Sequence, residues 1–170
     1  MIDRTWVSAK AAANGRAFEE LVNRSCAHYE RKGLAKIEKT PEPFRVLHRK
    51  GRLFDGIFTK KAQPDYKGVL VGGRCVCFEC KHSETATIAA SRVQENQLRY
   101  LEEMREYGAV SFVLVSFGLG GFYRVPTDIW ANFITVFHRK SATEEMLSEY
   151  RVPFIGGVVR FLDHIDGKVG

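Results

Sequence analysis

The sequence predicts a mixed α/β domain, a sheet of short strands with helices packed on it. Three observations carry that reading. Two β-rich runs flank Gly72-Gly73, which is a hairpin signal. Asn14 to Lys32 and Ser91 to Tyr107 carry apolar residues at helical spacing. Ala109 to Phe117 is nearly all apolar, as suits a strand covered on both faces. With 170 residues, 45% hydrophobic and 27% charged, the chain fits one domain with a real core.

Each element has its own signal. In the first helix Phe18, Leu21, Val22, Cys26 and Tyr29 form one stripe, and Gly33 is the stop. Glu19 sits at the edge of that stripe. Leu34 to Lys39 reads as a strand ended by Pro41 and Pro43. Arg45 to Lys61 suits a two-stranded excursion turning at Lys50-Gly51. The Gly72-Gly73 hairpin follows, then a small, polar loop from Ser83 to Ala90. Val93, Gln97, Tyr100, Leu101 and Met104 face inward on the second helix. Gly121 to Val125 can pair with the apolar strand before it, and a short helix carries Trp130. Ser141-Ala142-Thr143-Glu144 has capping-box form and predicts a helix to about Tyr150.

The net charge of +6 favours a polyanionic partner. It is concentrated between Phe44 and Gly68, where Arg45, Arg49, Lys50, Arg52, Lys60, Lys61 and Lys67 stand against only Asp55 and Asp65. Leu47, His48, Leu53 and several phenylalanines lie among these bases. That mixture suits a DNA surface, although a charge run also serves simply as a solvated face. No apolar run approaches a membrane span and the first residues lack a signal-peptide core, so a cytoplasmic protein is expected. Four cysteines in that setting argue against a disulfide framework.

The hairpin carries the chemistry. Asp65 stands at the outer end of its first strand, and Glu79 and Lys81 at the outer end of its second. Residues two apart on a strand share a face, so Glu79 and Lys81 point together. Two hard oxygen donors beside an ammonium can hold Mg²⁺ and orient a water, as phosphodiester hydrolysis requires. Register decides whether Asp65 joins them. A two-residue Gly72-Gly73 turn puts Asp65 opposite Cys80, on the wrong face. A three-residue loop of Gly72-Gly73-Arg74 puts it opposite Lys81, and a bulge near Gly68 would also restore the face.

Other sites are weaker. Cys77-Phe78-Glu79-Cys80 is formally a zinc-type spacing, but on a strand Cys77 and Cys80 face opposite sides. Cysteine as a small core residue is the simpler reading. Gln97 is either a satisfied core glutamine or part of the active site. No Walker loop or Gly-x-Ser-x-Gly motif is present.

Taken in order, the motifs resemble those of the RecU-type Holliday junction resolvases, within the PD-(D/E)-x-K nuclease superfamily. The resemblance rests on Asn14-Gly15-x-x-Phe18-Glu19-Glu20, then Ala35-x-Ile37-x-Lys39-x-Pro41-x-Pro43. It continues through Asp65-Tyr66-x-Gly68, Phe78-Glu79-x-Lys81, Gln97 and Phe112-Val113-Leu114-Val115 to Arg139-Lys140-Ser141. It implies a restriction-endonuclease-like fold and a homodimer that cuts four-way DNA junctions by paired, Mg²⁺-dependent nicks, with Mn²⁺ able to substitute. It implies Asp65, Glu79 and the Cys80 carbonyl as metal ligands, Lys81 as catalytic lysine, and Glu19 and Gln97 as supporting residues. It also places a DNA-gripping stalk at Arg45 to Lys61. For the dimer contact, Phe122, Tyr123, Trp130, Phe133 and the Val158 to Leu162 segment are candidates, each of which equally suits the core. The chain departs from its relatives at Pro64, where they carry threonine, and in a shorter stalk and N-terminal tail. Such trimming suits a compact, phage-encoded member.

Overall fold

The computed structural model describes residues 4–41, 44–58 and 63–165. Helix α1 (Arg4–Arg31) begins ten residues before Asn14. Ala9 and the run Ala11 to Ala13 are strong helix formers and carry the helix back past Asn14, where the apolar stripe predicts its start. Gly33, at φ 67°, ends it. The chain then enters β1 (Ala35–Lys39). Strands β2 (Phe44–Lys50) and β3 (Leu53–Phe58) form a separate two-stranded ribbon, as expected for the stalk-like segment.

Strands β4 (Tyr66–Leu70) and β5 (Cys75–Ser83) are the predicted hairpin. After β6 (Thr87–Ala89) and a 3-10 turn at Ala90–Arg92 comes α2 (Glu95–Glu106). The predicted helix start at Ser91 and the predicted loop from Ser83 to Ala90 are thus both corrected. The chain continues through β7 (Val110–Phe117), β8 (Gly121–Pro126), α3 (Thr127–Ala131) and α4 (Phe133–Phe137).

The predicted late helix is absent. Ser141–Thr143 is instead a strand, β9, paired with β6, and a 3-10 turn, Glu145–Tyr150, follows. The Thr143 hydroxyl accepts from the Met146 amide at 3.3 Å. A short hairpin of β10 (Phe154–Ile155) and β11 (Val158–Val159) closes the described chain.

The main sheet has the order β1-β4-β5-β7-β8, antiparallel except for the parallel pair β5–β7. Alternation splits its side chains between two cores. Phe78, Phe112 and Leu114 pack with Phe18, Val22 and Tyr29 of α1, and with Val159 and Phe161 of the tail. Cys77, Val113 and Val115 pack on the opposite face with Leu101 of α2 and Trp130, Phe133 and Phe137. This is the mixed α/β architecture that the sequence predicts. Tyr66, Phe78 and Phe112 stack across three strands at 5.0 and 4.7 Å, a stiff floor beneath the hairpin. Gly68 is demanded by the same packing, since a Cβ there would collide with the Lys36 carbonyl of β1.

Phe122, Tyr123, Trp130, Phe133, Val159, Phe161 and Leu162 are all buried within the chain. The residues offered from sequence as dimer contacts are therefore core, apart from the half-buried Val158 and Arg160.

Candidate active site

The hairpin register settles where Asp65 stands. Tyr66 pairs with Phe78 and Val69 with Cys75. The loop has three residues, as one sequence reading required, but it is Val71-Gly72-Gly73 rather than Gly72-Gly73-Arg74. Leu70 accepts from the Gly73 amide and donates to the Arg74 carbonyl. Gly72 and Gly73 both have φ near +90°, which favours glycine there. One step beyond the Tyr66–Phe78 pair, Asp65 faces Glu79 rather than Lys81.

The result is a compact polar corner. Asp65 Oδ2 accepts from the Cys80 amide at 2.8 Å, and its own carbonyl accepts from the Thr40 amide at 2.8 Å. Lys81 Nζ donates to Glu79 Oε2 at 2.8 Å and lies 3.9 Å from Asp65 Oδ2. The Gln97 amide donates to the same Glu79 oxygen at 2.7 Å. Its own oxygen accepts from the Gln94 amide at 3.1 Å, as half of a capping box. Gln97 therefore has both its groups committed, and one of them braces Glu79.

Glu79 is fully buried. Both donors reach its Oε2, while Oε1 is buried with no partner among the described residues. Burial first, and then the facing Asp65 carboxylate, push its pKa up to about 7. A cation beside it would satisfy Oε1 and offset the repulsion. In a strand the amide and carbonyl of one residue point to the same edge, so the Cys80 carbonyl points where its amide meets Asp65. Asp65, Glu79 Oε1 and this carbonyl are all hard oxygen donors. Mg²⁺ typically takes one or two carboxylates and completes its shell with water. The residues present fit that ion. Among the described residues, no cluster of three or more His, Cys, Asp or Glu forms a richer metal site.

Glu19 stands apart from this corner, paired with Lys39 Nζ at 2.6 Å. That hydrogen bond, followed by the Glu19 charge and then the charge of Asp65, raises the Lys39 pKa against the opposing cost of burial. Lys39 thus links Glu19 electrostatically to Asp65. Lys39 belongs to the Ala35-x-Ile37-x-Lys39 motif, which by itself assigns it no role. Its signal is its place at the end of β1, opposite Tyr66. Cys77 and Cys80 lie on opposite faces of the sheet, one in each core. Pro64 is buried beside Asp65.

Most of the residues expected to contact DNA fall on the β2–β3 ribbon. His48, Arg49 and Arg52 are exposed on the β2–β3 ribbon, and Arg45 and Lys50 fall on β2. Lys67 is exposed on β4 and bonds Gln63 at 3.3 Å. Lys60 and Lys61 lie outside the described residues. No described helix is long and apolar enough to cross a membrane.

Fold and corner together define a mixed α/β protein that gathers two carboxylates, an ammonium and an amide at the open edge of its central strand. The chain belongs to the family described as Recombination protein U, whose model matches residues 13–166. It is similar to the Holliday junction resolvase RecU of Streptococcus sanguinis, 27% identical over 133 residues, covering 74% of this chain and 66% of that protein. The corresponding protein of Pediococcus pentosaceus is 26% identical over 110 residues, covering 61% and 54%, and that of Lactococcus lactis 25% over 140 residues, covering 78% and 64%. The chain spans between about a half and two thirds of the length of these relatives. A solved structure of Hjc, a Holliday junction resolvase from the archaeal hyperthermophile Archaeoglobus fulgidus, superposes with a TM-score of 0.47 at 11% identity, covering 75% of this chain and 89% of that one.

Proposed function

We propose that this chain is a Mg²⁺-dependent endonuclease that resolves four-way DNA junctions, acting as a homodimer in the cytoplasm of a bacterial or phage-infected cell. The observation that carries the reading is the unpartnered, buried Glu79 Oε1 facing Asp65. A protein that only binds DNA has no use for two acids turned toward a phosphate. The relatives' names supply the junction as substrate.

Asp65, Glu79 and the Cys80 carbonyl would hold Mg²⁺, or Mn²⁺ in its place. The ion when bound supplies Lewis acidity toward phosphate oxygen and a more acidic bound water. Gln97 fixes Glu79 by occupying Oε2, which leaves Oε1 turned to the site. Lys81, as an ammonium, has three donors and no lone pair. It orients the attacking water and donates to the phosphate oxygens as charge develops on them. Water oxygen bonds to phosphorus as the bond to the leaving sugar oxygen breaks; the water releases its proton to solvent, and the sugar oxygen takes one up from solvent. Glu19 supports the corner through Lys39. The β2–β3 ribbon grips the junction.

Two equivalent strands must be cut, and one chain has one such corner, so a two-fold pair is required. Sedimentation at micromolar concentration should give a dimer. Cleavage of synthetic four-way, nicked, flap and linear DNA, with Mg²⁺ and with EDTA, tests the whole reading. Junction cleavage that requires the metal is expected. A protein inert on every substrate with Mg²⁺ and Mn²⁺ would overturn it.

A further inference from the structure

β4 pairs with β5 only as far as Phe78, so from Glu79 onward that edge of β5 carries no strand among the described residues. The Ser83 carbonyl accepts from Gly118, at the end of β7. Strand residues alternate edges, so the His82 carbonyl must lie on the opposite, open edge, together with the amide and carbonyl of Cys80. One side chain among the described residues claims that carbonyl. Arg92 Nη2, from the 3-10 turn after β6, donates to it at 2.9 Å.

Arg92 is otherwise exposed. A guanidinium has five N–H donors, and a neutral carbonyl leaves its positive charge in place. The anchor removes part of the flexibility an arginine would lose on binding. Two residues of strand span about 6.6 Å. The anchored guanidinium therefore stands about that far along the open edge from the Cys80 carbonyl. DNA rises about 3.4 Å per nucleotide of one strand, so that offset corresponds to one or two nucleotides.

We propose that Arg92 is a phosphate-binding residue, holding the DNA phosphate one or two nucleotides from the scissile one and so setting the strand in line with Asp65, Glu79 and Lys81. This rests on the reading of the corner as a DNA-cutting site. The sequence hides Arg92, because it lies outside the basic ribbon and outside every motif.

The test is binding to a synthetic four-way junction in EDTA across a range of salt, with wild type, Arg92→Met and Arg92→Lys. Arg92→Met should flatten the log K against log salt slope by about 0.9, one phosphate contact on duplex. Arg92→Lys should keep the wild-type slope, which a merely structural loss would not predict. A scan of single neutral methylphosphonates along the cut strand should cost wild type affinity at a position one or two nucleotides from the cut, and cost Arg92→Met nothing there. An unchanged slope in folded Arg92→Met overturns the proposal. If that variant fails to fold, a wild-type scan with no sensitive phosphate in that window overturns it equally. Failure of wild type to cut any junction would instead refute the nuclease reading, while the metal-free slopes still report on Arg92.

Discussion

The corner around Glu79 and the β2–β3 ribbon are built on opposite plans. At the corner the carboxylates are held by fixed partners: Gln97 on Glu79, Cys80 and Thr40 on Asp65, a stacked aromatic floor beneath. The ribbon is two strands in a sheet of their own. Val46, Leu47 and Leu53 are exposed on it, at 51%, 49% and 77%, and its pairing slips between Val46 and His48. Isolated two-stranded ribbons are marginal in water. Chemistry needs atoms held still before substrate arrives, whereas gripping a flexible, charged polymer tolerates an element that is completed by its partner.

The sharpest way to break this contrast is Asp65→Asn. It removes a carboxylate charge from the corner and leaves the ribbon alone. Single-turnover cleavage should fall at least about a thousandfold, roughly 4 kcal/mol. Junction affinity in EDTA should be undiminished, because a negative charge beside phosphate has been lost. Cleavage at the wild-type rate would show that the corner is not where chemistry happens.

Glu79→Gln tests the stored cost of the corner without any activity readout. The Glu79 pKa stands at about 7 against an ordinary 4.5. Between those values the folded protein keeps a proton that the unfolded chain has released. Stability without metal should therefore be fullest below about pH 4.5 and decline as pH rises through about 7. Glu79→Gln should lose that decline and exceed wild type above pH 7 by on the order of 3 kcal/mol. Melting in EDTA from pH 5 to 8 would measure it. Mg²⁺ should stabilise wild type most at the alkaline end, where Glu79 is ionised. Parallel pH profiles for wild type and variant would contradict the buried, repelled carboxylate.

Lys81→Ala should slow the chemical step at least about tenfold, roughly 1.4 kcal/mol. The loss should be smaller than at Asp65, because both carboxylates of the proposed metal site and Gln97 survive. A single-turnover rate equal to wild type would refute the role of the lysine.

How much of this was legible follows the range of the interactions. The hairpin, its Gly-Gly turn and the face shared by Glu79 and Lys81 are local and were readable. The register was not, because Val71 donates its amide to the Leu34 carbonyl, a contact from the far side of the ribbon segment. Ser141-Ala142-Thr143-Glu144 looks like a helix start, yet Ser141–Thr143 pairs with Thr87–Ala89, more than fifty residues earlier. Gln97 was visible as a polar residue on an apolar stripe. Its partner was not, because the 2.7 Å bond to Glu79 crosses from helix to sheet, eighteen residues away in sequence. Phe122, Tyr123, Trp130 and Phe133 could serve core or interface by chemistry alone, and only burial chose core.

The smallest effect on chemistry belongs to the ribbon, and it completes the comparison. Arg49→Ala, Lys50→Ala and Arg52→Ala together should leave the single-turnover rate on saturating junction within about twofold, because no atom of the corner moves. Binding should weaken, and its salt slope should flatten by up to about 2.7, since as many as three phosphates would release fewer counterions. The loss should be larger on a four-way junction than on a linear duplex of the same length, where one face of DNA can still be held by other bases such as Lys67. Affinity and slope unchanged on both would place the basic surface elsewhere. A lost chemical step with intact binding would show that the ribbon positions the scissile phosphate as well as gripping the junction, and the two regions would then be one device.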